Sequence, residues 1–146
     1  MQKTHSIGYL SRVTETKVTT IRYYESIGLI GDPGRSASGQ RRYGPDAVKR
    51  LAFIRHLRDL GFSVDSVREL INLQMQPEQD CAGVDQLARH QLGGVRRRID
   101  QLIALEAELK RIVSGCDGGT TGTCSVLSAL KDHDKCEAAV HGGRAL

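Results

Sequence analysis

The chain has 146 residues, 39% hydrophobic and 26% charged, with a net charge of +4. That length fits one domain or a small domain with an appendage, and the mild basic excess admits a polyanionic partner without demanding one. Aromatics make up 4% and Trp is absent, so the core is expected to be largely aliphatic. No stretch is apolar over the roughly 20 residues a bilayer span requires, and MQKTHSIGYLSR lacks the apolar centre of a signal peptide. A cytoplasmic, reducing location with no membrane partner is expected. There four cysteines serve as ligands or redox groups more readily than as structural disulfides.

Ser6 is placed to cap a first helix, Ser6 to Val13, in which Ile7, Leu10 and Val13 recur at helical spacing. Thr14 to Thr16 makes a tight connection, and Lys17 to Ile27 reads as a second helix stopped by Gly28. Two short helices joined by so short a turn predict a helix-turn-helix. Gly31 to Gly44 combines Pro33 and several glycines with Arg35, Arg41 and Arg42, which suits a basic hairpin, or wing. Pro45 fits the first turn of a third helix, whose apolar face is Val48, Leu51, Ile54 and Leu57 or Leu60, ending at Gly61. Ser63 opens a fourth with Val64, Val67, Leu70 and Ile71 on its buried side, running to about Leu73, and Pro77 breaks the chain.

From Cys81 to Ser114 the sequence reads as one long helix. Leu92, Val95, Ile99, Leu102, Leu105, Leu109 and Ile112 fall at gaps of three and four, a coiled-coil seam with charged flanks. Gly93 and Gly94 each cost roughly 1 kcal/mol in a helix interior, so close helix approach or a local irregularity is expected there. The chain has too little other mass to cover such a helix, so an oligomer is expected. The loop GCDGGTTGTC and a short apolar turn, Ser125 to Leu130, follow, and the polar remainder is expected to fray.

The long helix would span about 50 Å at 1.5 Å per residue. Cys81 stands at its start, and Cys116 and Cys124 flank the loop beyond its end. A straight helix keeps them apart within one chain, whereas two antiparallel copies set the start of one helix beside the end of the other. This predicts a thiolate metal site shared across a dimer interface. Thiolates select soft or borderline ions such as Zn, Cd, Hg, Pb and Cu(I). A lone cysteine is more often a small buried hydrophobe, and it is the relation of Cys81 to the loop pair that argues for a ligand.

Lys17, Thr19, Thr20, Arg22 and Tyr23 fall in the first turns of the second helix, where a recognition helix presents side chains to a major groove. Arg22 has the fork for a phosphate or a guanine edge, and Tyr23 suits a phosphate. In the wing, Arg35, Arg41 and Arg42 would add phosphate contacts and Tyr43 would anchor the hairpin. The same charges would also suit a solvated face, with a tyrosine filling the small core. Their combination with a helix-turn-helix and a wing is what favours DNA.

Three blocks, TIRYYESIGLI (Thr20 to Ile30), SGQRRY (Ser38 to Tyr43) and RLAFIRHLRDLGFSVDSVREL (Arg50 to Leu70), occur in the order of the N-terminal domain of MerR-family transcription regulators. The chain resembles that family over nearly its whole length. The resemblance implies a mainly α protein with a winged helix-turn-helix DNA-binding domain at 1–76 and a long antiparallel coiled-coil dimerisation helix at 77–114. A metal-binding loop and short helix at 115–131 and a flexible tail at 132–146 complete it. It implies a homodimer on double-stranded promoter DNA, between elements separated by an overlong spacer. The effector-bound dimer distorts the duplex so that RNA polymerase can use both elements, and no enzymatic activity is expected. Arg22, Tyr23, Arg35, Arg41 and Tyr43 match the family's DNA-contacting positions and Arg55 a phosphate contact, while Gln40 and Arg42 stand where the family varies.

The chain is too short for the large C-terminal ligand domain of drug-sensing members. It is similar to the metal-sensing branch, with 35 positions from Cys81 to Cys116 and eight from Cys116 to Cys124. Sensors of monovalent copper, silver and gold generally carry serine where Cys81 stands and bind linearly through two loop cysteines. Sensors of mercury, cadmium, lead and zinc carry cysteine there. Two thiolates on M⁺ and three on M²⁺ both leave a site of net −1, so Cys81 favours a divalent ion: Zn, Cd, Pb or Hg. Cu(I) stays as the alternative, because a loop spacing of eight also occurs among copper sensors. Cys136 with His133 and His141 would form an auxiliary site, as in some zinc and cadmium sensors, against the plainer reading of a tail with incidental histidines.

Three other functions fit less well. A redox sensor of the SoxR type has a similar wing, but its iron–sulfur cluster needs four closely spaced cysteines. A thiol oxidoreductase would want a Cys-X-X-Cys pair or a cysteine with a fixed histidine base, and neither is present. A purely architectural DNA-binding protein would leave the thiols idle.

Overall fold

Ser6 Oγ accepts the Tyr9 backbone N–H at 3.2 Å and opens helix α1 (Ile7–Val13), in a computed structural model that describes residues 4–132. The chain divides into two compact units, Met1–Leu87 and Ala88–Leu146.

In the first unit α1 is joined to α2 (Val18–Ser26) by the expected tight turn. Thr14 Oγ1 donates to Leu10 O at 2.7 Å and Thr16 Oγ1 to Thr14 O at 3.1 Å, so both buried hydroxyls are satisfied inside the turn. Glu15 between them has φ +50°, the one non-glycine positive φ among the described residues. Arg55 braces this strained residue, its Nη1 donating to Thr14 O at 3.4 Å and to Glu15 O. Its Nε donates to both carboxylate oxygens of Asp59 at 3.0 Å.

Gly28, at φ +71°, ends the α2 region as expected. The wing follows as strands β1 (Gly34–Arg35) and β2 (Arg41–Arg42), antiparallel with Gly34 opposite Arg42 and Arg35 opposite Arg41. At its root Tyr43 exchanges both backbone hydrogen bonds with His5, at 2.8 and 2.9 Å.

Helix α3 (Pro45–Asp59) begins on Pro45, and α4 (Val64–Gln74) on Ser63, whose Oγ accepts from Ser66 N–H at 3.1 Å. Leu10, Ile21, Leu51, Ile54 and Val67 are wholly buried, each contributing roughly 2 kcal/mol by removal from water. Leu57 is buried and Leu60 is exposed, which settles the alternative left open for the α3 face. The core is largely aliphatic, as the composition predicts, with Tyr24, Tyr43 and Phe62 also inside it.

Helix α5 (Ala82–Ser114) runs unbroken for 33 residues. Of the two alternatives at Gly93 and Gly94, close helix approach or a local irregularity, the irregularity is absent. The glycines' combined cost of about 2 kcal/mol is smaller than that of forfeiting several ladder hydrogen bonds at a break. Leu92, Val95, Ile99, Leu102 and Leu109 are each 43–49% exposed. Ile112, expected to continue that row, is instead buried within its own chain, and Val113 is the exposed residue. Position 112 or 113 satisfies the three-and-four pattern after Leu109 equally well, so periodicity could not separate them.

Beyond a 3₁₀ turn (Thr121–Thr123), the short apolar segment forms helix α6 (Ser125–Lys131). His133, Cys136 and His141 lie outside the described residues. No helix among the described residues is long and apolar enough to cross a membrane.

Candidate DNA-binding face and metal loop

Helix α2 buries Ile21 and Tyr24, three positions apart, and this turns Lys17, Thr19, Arg22 and Tyr23 to the exterior, with Thr20 half-buried. Arg22 has no ion-pair partner among the described residues, leaving its guanidinium available. On the wing Gln40 is exposed directly before β2 and Arg42 is half-buried; Arg35 Nη1 donates to Gly39 O at 2.9 Å, which stiffens the hairpin.

Three further expected DNA contacts take part in intramolecular bonds. Tyr43 is 1% exposed, and its hydroxyl donates to Glu25 Oε1. The structure therefore gives Tyr43 the anchoring role and withholds its hydroxyl from the surface. Arg41 Nε donates to Glu25 Oε2 at 3.1 Å, and Arg55 spends Nε and Nη1 on Asp59 and the α1–α2 turn. Glu25 itself was missed from the sequence. The available signal was an acidic residue one turn after Ile21, on the inward side of an otherwise basic element.

Burial, the hydrogen bond to Glu25 and that carboxylate's charge push the Tyr43 phenol well above its ordinary value of 10.0. The unfolded chain then loses this proton first as pH rises, so the Tyr43 contribution to stability is intact below about pH 10 and declines above it. Denaturant melts between pH 8 and 11 should show a steeper alkaline loss in the wild type than in Tyr43→Phe. Equal slopes would remove this proton from the stability of the fold.

At the other end, Cys116 N–H donates to Val113 O at 3.0 Å and Cys124 stands at the N-cap position of α6, so the backbone of each loop cysteine is set by a helix terminus. Gly118 and Gly119, at φ +83° and +107°, make the reversal between them. Ser125 Oγ donates to Gly115 O at 2.5 Å and closes the loop. A cavity of about 110 Å³ is lined by Cys116, Asp117 and Cys124 together with the loop glycines and threonines. That is far below the roughly 300–1,000 Å³ of organic-ligand pockets, and two thiols on so small a space suit a soft ion. Cys116 is exposed and Cys124 half-buried.

Cys81 is exposed immediately before α5, where Asp80 Oδ1 accepts the Ala82 N–H at 3.0 Å. No group of three or more His, Cys, Asp or Glu side chains able to hold an ion occurs among the described residues.

Comparison with known proteins agrees with this architecture. Residues 5–74 match the family model described as MerR HTH family regulatory protein, and residues 48–112 that described as MerR, DNA binding. The HTH-type transcriptional regulator ZntR of Escherichia coli K12 is 35% identical over 130 residues, covering 87% of this chain and 92% of the relative. A probable heavy metal-dependent transcriptional regulator of Haemophilus influenzae is 33% identical over 125 residues, covering 86% and 98%. The crystal structure of a transcription regulator from Ralstonia metallidurans in complex with lead(II) superposes with a TM-score of 0.74 at 36% identity, covering 86% of this chain and 98% of that one. The chain belongs to the MerR family of helix-turn-helix transcriptional regulators, and within it is similar to the heavy-metal-dependent members.

Proposed function

We propose that the protein is a metal-responsive regulator that binds promoter DNA as a homodimer and activates transcription by distorting the duplex for RNA polymerase. Lys17 at the N-cap of α2 and Thr19, Thr20, Arg22 and Tyr23 within the helix enter the major groove, while Arg35, Gln40 and Arg42 of the wing meet the backbone. The effector is a divalent thiophilic ion, Zn, Cd, Pb or Hg, held by Cys81 of one subunit with Cys116 and Cys124 of the other. The observation that carries this reading is the ion-sized, two-thiol loop following a 33-residue helix that Cys81 precedes. The lead(II) complex of the Ralstonia metallidurans relative supports a divalent ion. A second reading, Cu(I) held by Cys116 and Cys124 alone, rests on the two thiols that line one ion-sized cavity.

Titration of the reduced protein with each ion tests the proposal. Thiolate-to-metal absorption and transcription from a reporter carrying the protein's selected binding sequence should rise together for the divalent ions. A response confined to Cu(I) would transfer the function to the second reading. No transcriptional response to any of these ions would reject metal sensing.

A further inference from the structure

Glu25 has no place among the proposed DNA contacts, yet it joins the two elements that present them. Its side chain is 9% exposed. Oε2 accepts Arg41 Nε at 3.1 Å and Oε1 accepts the Tyr43 hydroxyl. Arg41 opens β2, and Tyr43 is the wing root already paired through its backbone to His5. A buried carboxylate is costly unless donors meet its lone pairs. Here both side-chain donors come from the segment that leads out of the wing, Arg41 in β2 and Tyr43 just after it.

We propose that Glu25 is a positioning residue for DNA reading. It ties the wing to helix α2, so that Arg35 and Arg42 on the hairpin and Arg22 on the helix meet one duplex in a single register. It also directs the Arg41 guanidinium toward the protein. The inference rests on the DNA face proposed above.

Charge alone makes the opposite forecast. Glu25→Gln removes a negative charge beside a polyanion, which by itself tightens binding to every duplex and steepens the salt dependence. Loss of the tie instead weakens the sequence that requires both elements in register, and leaves sequence-independent binding undiminished.

The test uses full-length Glu25→Gln and Tyr43→Phe proteins, with circular dichroism and melting as checks on folding. Each is titrated across several salt concentrations against a duplex selected by the wild type from a random pool, and against a mixed-sequence duplex of equal length. In Glu25→Gln the affinity for the selected duplex should fall about tenfold, the scale of a lost charge-assisted hydrogen bond. The mixed-sequence affinity should not fall, so the specificity ratio drops. Tyr43→Phe removes one donor and no charge, and should lower the same ratio less. An unchanged or raised ratio in Glu25→Gln overturns the proposal. If that variant does not fold, an unchanged ratio in Tyr43→Phe overturns it. Arg22→Ala in parallel separates the two readings. Should it leave both affinities and the salt slope unaltered, the DNA face is misplaced and the positioning role falls with it. Should it weaken binding while Glu25→Gln leaves the ratio intact, only the positioning role is rejected.

Discussion

Replacing Ile99 and Leu102 with glutamate is expected to convert the protein to monomers and abolish tight binding to its selected DNA. Both side chains are about half exposed on α5, in a row with Leu92, Val95 and Leu109 that has the periodicity of a helix-pairing seam. Burying the exposed half of two such side chains from each of two copies is worth roughly 3–6 kcal/mol, at half of 1.5–3 kcal/mol apiece. Association at micromolar to nanomolar strength is itself about 8–12 kcal/mol, so these positions can decide the assembly. The glutamates reverse the sign of the contribution by asking charge to be buried without a partner. A monomer then reads one half-site, and the gain from linking two is lost. Sedimentation and DNA titration measure the two effects, with circular dichroism showing the helices retained. A protein that stays dimeric would put the interface elsewhere.

Local chemistry made most of the first unit legible in the sequence. Ser6 and Ser63 cap helices because a hydroxyl there meets an otherwise unpaired N–H, and Pro45 and Gly28 mark a start and a stop through backbone geometry alone. What resisted reading depends on contacts made through space. Arg41, Tyr43 and Arg55 are side chains that suit a phosphate, but they suit a carboxylate or a strained carbonyl equally. Besides Asp59, one turn from Arg55, their partners lie 16, 18 and 40 or 41 positions away along the chain. The importance of Glu25 follows from the same long-range pairings. At the other end, the spacing of Cys116 and Cys124 places both on one loop, and the short helix that the resemblance implies after it is α6, whose seven residues carry little periodic signal of their own. Whether Cys81 joins those thiols depends on how two copies meet, which the pattern within a single chain does not encode.

That question has a direct expected result. A mixed dimer pairing a Cys81→Ser subunit with a Cys116→Ser/Cys124→Ser subunit should retain one strong three-thiolate site. In a shared arrangement the intact loop of the first subunit meets the intact Cys81 of the second, and the opposite site has no thiol from this set. If each site is confined to one chain, neither subunit holds all three ligands and three-thiolate binding disappears. Separately tagged subunits allow the mixed species to be purified, and metal content with Cd- or Hg-thiolate absorption reads the outcome. Both variant homodimers lack the full set under either arrangement, so they supply the baseline. The Cys81→Ser homodimer also tests the charge of the ion. It keeps the loop pair and its cavity, so two-coordinate Cu(I) binding should survive while the response to Zn, Cd, Pb or Hg is lost. An intact protein that responds to Cu(I) alone, matched by an identical response in Cys81→Ser, would show that Cys81 is no ligand. The site would then be the loop pair of each chain, and the bridge between subunits would carry no metal.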